Sequence, residues 1–182
     1  MRIGLYGMPT CGKSYILERI DFMGVIHGSR LLRQMTPDFD NLDDEGRKEA
    51  RRKFALMVSQ RDNYIVDGHY AFGDELAFTA EDGEMYDAFV YIYIDPDILM
   101  KRMEESDRNR KYLRYNVADW QIREIEGLRE YCHKNDKDFY VIDNPPHNSF
   151  ADTDMALDFL QDISGGYSCL NYAKQCAASI IE

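Results

Sequence analysis

The chain has 182 residues, enough for one domain with a sizeable core. Its 45% hydrophobic and 30% charged content excludes disordered and fibrous classes, and no apolar run nears the roughly 18 residues needed to span a bilayer. Lys+Arg at 22 against Asp+Glu at 33 leave a formal charge of −11, a field that repels nucleic-acid backbones and anionic membranes, so neither is expected as a partner.

Arg2 to Tyr6 is a short apolar run that stops at Gly7, a first buried strand. Ile16, Leu17 and Ile20 have helical spacing, which predicts a helix over 14–20. Residues 24–27 form a second short strand, and Ser29 is placed to cap the helix after it. Pro37 breaks a loop over 36–41. A charged helix spans 42–60, with Ala50, Phe54, Met57 and Val58 on one face. The acidic residues Asp38, Asp40, Asp43, Asp44 and Glu45 cap it. Residues 64–67 make a strand ending at Gly68, and 72–87 an excursion with hairpin character. AFVYIYI over 88–94 suits a central strand, with Tyr91 and Tyr93 as packing residues. Pro96 opens a helix through Glu105. A basic stretch, 107–114, precedes a helix over 118–133 that holds Trp120 as a packing residue. A fifth strand covers 139–142, Asn144-Pro145-Pro146 ends it, and a helix over 151–160 follows. Ser164-Gly165-Gly166 breaks the pattern before one more helix, 167–182. Strands alternating with helices predict a three-layer α/β/α fold on a five-stranded parallel sheet, with ligands beyond the strands' carboxyl ends.

Cys11, Cys132, Cys169 and Cys176 form no CxxC pair, so neither a disulfide framework nor a zinc site is indicated. The N-terminus reads MRIGLYGMPTCGKS, a Gly-rich start where a signal peptide would carry its apolar stretch. A reduced, cytoplasmic protein is the expectation.

Gly7-Met8-Pro9-Thr10-Cys11-Gly12-Lys13-Ser14 matches G-x-x-x-x-G-K-[ST] at every specified position, between a predicted strand and a predicted helix. Glycines let the backbone curl into an anion nest, and the helix behind adds a positive dipole end. Lys13 reaches the β- and γ-phosphates of a nucleotide, and the Ser14 hydroxyl suits Mg²⁺. Cys11 inside this loop is either a small filler or an oxidation-prone thiol.

The segment from Asp95 to Lys111, with Arg102, Arg108 and Arg110, resembles the nucleoside-monophosphate-kinase group of P-loop kinases, which includes adenylate, shikimate and gluconate kinases. The resemblance covers roughly residues 1–162. It implies a Mg²⁺·ATP-dependent phosphotransferase acting on a small acceptor, with a nucleoside monophosphate favoured. Arg102 would lie against adenine, and Arg108 and Arg110 would belong to a short Arg-rich lid closing over the phosphates. In the segment over 25–33, Arg33, with Arg30 as its competitor, would hold the acceptor. Asp67, before Gly68, would hold a metal-bound water or take the acceptor's proton, with Ser14 as the other metal residue. His69 fits an acceptor contact or a supporting role. The lid lacks the long insertion of large adenylate kinases, and Asp67-Gly68 is followed by His-Tyr instead of Pro-Arg. A finer resemblance, to small adenylate-kinase-like proteins with kinase and ATPase activity, involves Lys111 and Asn116.

The kinase domain is expected over 1–163 and a helical extension over 164–182. Two other functions fit the same loop. One is an ATP-dependent switch for a protein partner docking on the excursion or the C-terminal helix. The other is the kinase half of a larger polypeptide.

Overall fold

The computed structural model describes residues 1–143 and 150–165. The expected 144–146 stop, the 167–182 helix and most of the 164–182 extension lie outside them. Five strands, β1 (Arg2–Tyr6), β2 (Gly24–Ile26), β3 (Tyr64–Asp67), β6 (Ala88–Tyr93) and β7 (Asp138–Asp143), form one sheet in the order β2-β3-β1-β6-β7. All its pairings are parallel, with Ile3 opposite Ile65 and Ala88. Between β3 and β6 lie the antiparallel hairpin β4 (Ala71–Phe72) and β5 (Glu75–Leu76), then the short helix α4 (Ala80–Glu84).

The period-two alternation of the strands divides the core. Ile3, Leu5, Ile65, Val90 and Ile92 face one side, against α1 (Lys13–Leu17), α5 (Pro96–Glu104) and α7 (Phe150–Ser164). Tyr64, Val66, Phe89 and Tyr91 face the other, against α3 (Asp44–Ser59) and the body of α6 (Val117–Lys134). Both sheet faces are therefore apolar, as a parallel sheet under two helical layers requires. The predicted three-layer α/β/α fold is present.

The differences are local. The helix expected over 14–20 is shorter, because after Leu17 the chain tightens into bonds from Arg19 N–H to Ile16 and from Ile20 N–H to Leu17. Ser29 does not cap α2 (Gly28–Met35), which already begins at Gly28 with His27 in the cap position. The Gly28 N–H instead donates to Asp67 Oδ1 at 2.6 Å. Only glycine allows this approach, since a Cβ at residue 28 would stand 2.4 Å from the Asp67 carbonyl oxygen. The remaining caps follow the chemistry of their residues. Asp43 accepts from Gly46 N–H, Asp95 from Asp97 N–H with Pro96 in the first turn, and Thr79 and Asp82 form a capping box. Among the described residues no helix is long and apolar enough to cross a membrane.

Candidate functional site

The loop between β1 and α1 curls through three positive φ angles, at Gly7 (148°), Thr10 (68°) and Gly12 (99°). Gly7 is needed for space as well, because a Cβ there would lie 2.7 Å from Cys11 Sγ and 2.9 Å from the Ile92 carbonyl oxygen. Thr10 holds a left-handed conformation that L side chains adopt at a cost. Lys13 is 6% exposed. Its ammonium donates to the carbonyls of Gly7 and Met8 and lies 3.6 Å from Cys11 Sγ. Met8 and Cys11 are buried in the core, so the loop is pinned from beneath. Pro9 to Tyr15 form one wall of a cavity of about 360 Å³. Ser14 is exposed on that wall.

Opposite the loop the cavity is closed by Ser29, Asp67, His69, Phe72, Arg108, Asn109 and Tyr112. A second cavity, of about 120 Å³, lies beside it and shares Ser29, Asp67, His69 and Phe72. The two spaces therefore meet at the carboxyl end of β3. Asp67 is held there by its bond to Gly28 N–H. His69 packs on Phe72, with centroids 4.8 Å apart. Burial pushes its pKa well below the usual value, the charges of Lys13 and Arg108 push the same way, and the Gly7 carbonyl opposes them. The imidazole is thus neutral near pH 7, with a buried Nδ1 that has no hydrogen-bond partner among the described residues.

The arginines divide sharply. Arg108 lines the loop cavity and makes no ion pair or hydrogen bond among the described residues. Arg102 comes from α5 to the back of the loop, 3.5 Å from the Thr10 carbonyl oxygen. Arg33 lines the second cavity and is braced by both oxygens of Asp40, at 3.0 and 3.1 Å. Its hydrogen bond is the largest cause holding the Asp40 carboxyl below the usual range. Arg30 is exposed and lines neither cavity. Arg110, expected over the phosphates, turns away. Its guanidinium donates to the Glu104 carbonyl and lies 3.5 Å from Asp107. Carbonyls at a helix C-terminus have no intrahelical partner, and Arg110 satisfies one of them. The basic stretch is correspondingly compact, a 3-10 turn over Arg110–Arg114 whose Tyr112 meets Trp120 edge-on.

Two buried polar residues of α6 escape a reading of the sequence. Gln121 brackets residue 94, its Nε2 donating to the carbonyl and its Oε1 accepting from the N–H. Glu124 is 1% exposed and accepts from Ala71 N–H, Trp120 Nε1 and the Tyr91 hydroxyl. Burial raises its carboxyl above the ordinary range, while those donors and the charge of Lys13 oppose the rise. It ties the hairpin, the central strand and α6 together. Both residues fall on the apolar face with Trp120, Ile125 and Leu128, and polar groups at core-facing positions of an amphipathic helix are the signal that could have found them. Arg51, Asp82 and Tyr86, which also line the second cavity, give no comparable signal.

A nucleotide's cation would find a hydroxyl and a carboxylate here, Ser14 and Asp67, facing one cavity. Both are hard oxygen donors, the type Mg²⁺ takes alongside phosphate oxygens. Among the described residues no group of three or more His, Cys, Asp or Glu side chains is assembled to hold a metal by itself.

Known structures share this architecture. Shikimate kinase from Bacteroides thetaiotaomicron superposes with a TM-score of 0.61 at 18% identity, covering 90% of this chain and 97% of that one. Shikimate kinase from Acinetobacter baumannii, solved in complex with shikimate, gives 0.58 at 17% identity, covering 92% and 94%. A gluconokinase from Sinorhizobium meliloti 1021 gives 0.51 at 16%, covering 92% and 97%. The fold is that of the small P-loop kinases. No curated protein matches the chain. The model of the family described as AAA domain matches residues 6–119, from the end of β1 through the loop, the wall at Asp67 and the basic turn. The chain belongs to that AAA domain family.

Proposed function

We propose that the protein is an ATP-dependent phosphotransferase that moves the γ-phosphoryl group of Mg²⁺·ATP to a small acceptor, a nucleoside monophosphate. The observation that carries this reading is the pair of cavities sharing one wall. A hydrolase or switch needs only the loop cavity, whereas group transfer needs an acceptor oxygen brought in line with the γ-phosphorus.

In the reaction the γ-phosphorus gains a bond to the acceptor oxygen and loses its bond to the β–γ bridging oxygen, which leaves with ADP. Residues 7–14, from Gly7 to Ser14, bind the triphosphate. Lys13 neutralises charge on the group in transit, and Arg108, the cavity arginine with no ion-pair partner among the described residues, does so from the opposite wall. Ser14 and Asp67 are the residues that would hold Mg²⁺, which would offset negative charge on the phosphate oxygens. Asp67 also lines both cavities, where it would take the proton of an acceptor that presents a hydroxyl, whereas the phosphate oxygen of a nucleoside monophosphate attacks already ionised. Arg102 steadies the loop from the adenine side. Arg33 and neutral His69 contact the acceptor, and Arg110 supports the turn that carries Arg108.

The test is ADP release measured with nucleoside monophosphates, nucleosides, and hydroxy acids such as shikimate and gluconate as acceptors. Acceptor-dependent release that falls at least about 10³-fold in Lys13→Ala is the expected result. Slow release indifferent to every acceptor would contradict it and favour the switch.

A further inference from the structure

The cavity beside Asp67 holds two charged side chains to which phosphoryl transfer assigns no task. Arg51, on α3, and Asp82, in the first turn of α4, both line it, and neither borders the loop cavity. They therefore belong to the second cavity alone. Their side chains are only 23% and 16% exposed, yet Arg51 Nη1 stands 4.0 Å from Asp82 Oδ2, beyond hydrogen-bond range. Opposite charges stripped of water ordinarily close to direct contact at about 2.8 Å, because an unpaired buried charge is costly. Arg51 makes no hydrogen bond among the described residues, and its other neighbour is the Phe39 ring, with its centroid 5.9 Å away. Asp82 commits Oδ2 to the N–H and hydroxyl of Thr79, both at 3.0 Å, and its Oδ1 accepts nothing among the described residues.

The rings of Tyr6, Phe54 and Tyr86 line the same cavity. A space walled by aromatic rings, with a guanidinium donor and a carboxylate acceptor side by side, suits a flat heteroaromatic ring. The ring's edge must present an acceptor atom next to an N–H donor. A nucleobase has such an edge. A sugar acid could set its carboxylate on Arg51 and a hydroxyl on Asp82, but it offers no flat ring to the aromatic walls.

We infer that Arg51 and Asp82 read the base of a nucleotide acceptor, Arg51 donating to a ring nitrogen or carbonyl and Asp82 Oδ1 accepting from the adjacent N–H. The inference rests on the phosphotransferase reading above and names the part of the substrate that sets its specificity.

The test compares initial rates with ATP and each of CMP, AMP, GMP and UMP for the wild type, Asp82→Asn and Arg51→Met. Asparagine can still accept from Thr79 N–H, so the α4 cap survives, but it offers an amide where the base met a carboxylate. The expected result for Asp82→Asn is a change of about tenfold or more in the relative kcat/KM of the four acceptors. That change is carried by acceptor KM, with ATP KM within about twofold of wild type. Arg51→Met raises acceptor KM about tenfold or more for every base. If either first variant fails to melt cooperatively, Asp82→Glu or Arg51→Lys, which keep the charge and displace it, takes its place, the first expected to change the ranking and the second to raise acceptor KM for every base. Nucleotide acceptors used by the wild type, with wild-type ranking and KM retained in the variants, would overturn the inference alone. Transfer to shikimate or gluconate and to no nucleotide would overturn it together with the nucleotide assignment. No acceptor-dependent ADP release at all would remove the phosphotransferase reading itself.

Discussion

The loop cavity takes one whole wall from a single run, Pro9 to Tyr15, whereas the cavity beside it draws on β1, α2, α3, β3, the hairpin segment and α4. The first is a local device. Its shape follows from glycines, a turn and a lysine within eight positions, so it survives much change elsewhere. The second exists only when distant elements dock, and its chemistry varies with whichever side chains those elements project. A cavity defined by backbone and a cavity defined by assembly can thus diverge independently on one fold.

The comparison can be broken where the two regions depend on each other. Glu124 is the sharpest place, because it joins the hairpin of the second cavity to the strand and helix behind the loop. Glu124→Ala leaves Ala71 N–H, Trp120 Nε1 and the Tyr91 hydroxyl unpaired in the core. The expected loss is about 3–5 kcal/mol in urea unfolding. A loss under about 1 kcal/mol would mean the two regions are not coupled through it.

Next in size is Arg108→Ala. With no ion pair among the described residues to lose, it is expected to cost little stability and to lower kcat about 10²-fold with nearly unchanged ATP affinity. Equal losses in kcat and ATP binding would assign Arg108 to ground-state binding.

A smaller effect tests the wall of the second cavity alone. Tyr64 donates to the Met85 carbonyl at 2.6 Å, next to Tyr86, and burial pushes its phenol up to about 12 from 10.0. In the window from 10 to 12 the unfolded chain releases a proton that the folded one retains. Stability is therefore full below pH 10 and is lost as pH rises toward 12. Tyr64→Phe is expected to flatten the fall in melting temperature over that range, and an unchanged slope would count against it. The smallest effect belongs to Arg110→Ala, expected within about threefold of wild-type kcat, since its guanidinium faces the α5 carbonyl at Glu104. A loss matching that of Arg108→Ala would return Arg110 to the phosphates.

The same contrast explains what the sequence could disclose. Residues 7–14 are legible because the spacing and the geometry are one object. The strands are legible because apolar runs between turn signals have few other uses in a chain of this kind. The position of Asp67 at the end of β3 is legible in the sequence, but its bond from the Gly28 N–H is not, because the donor lies on another strand's outgoing helix. Arg110 and Arg108 are two residues apart and were indistinguishable until the turn showed which faces the cleft. Arg51 sits in a charged helix beside four other basic residues, Arg47, Lys48, Arg52 and Lys53. Nothing local marks it as the one turned toward a cavity.

The central claim is that a phosphoryl group crosses the shared wall at Asp67. It is tested most directly by following γ-labelled ATP in the presence of a nucleoside monophosphate. The account predicts that the label appears in the nucleoside diphosphate made from the acceptor, with inorganic phosphate a minor product. Label recovered entirely as inorganic phosphate, at a rate the acceptor does not change, would contradict it.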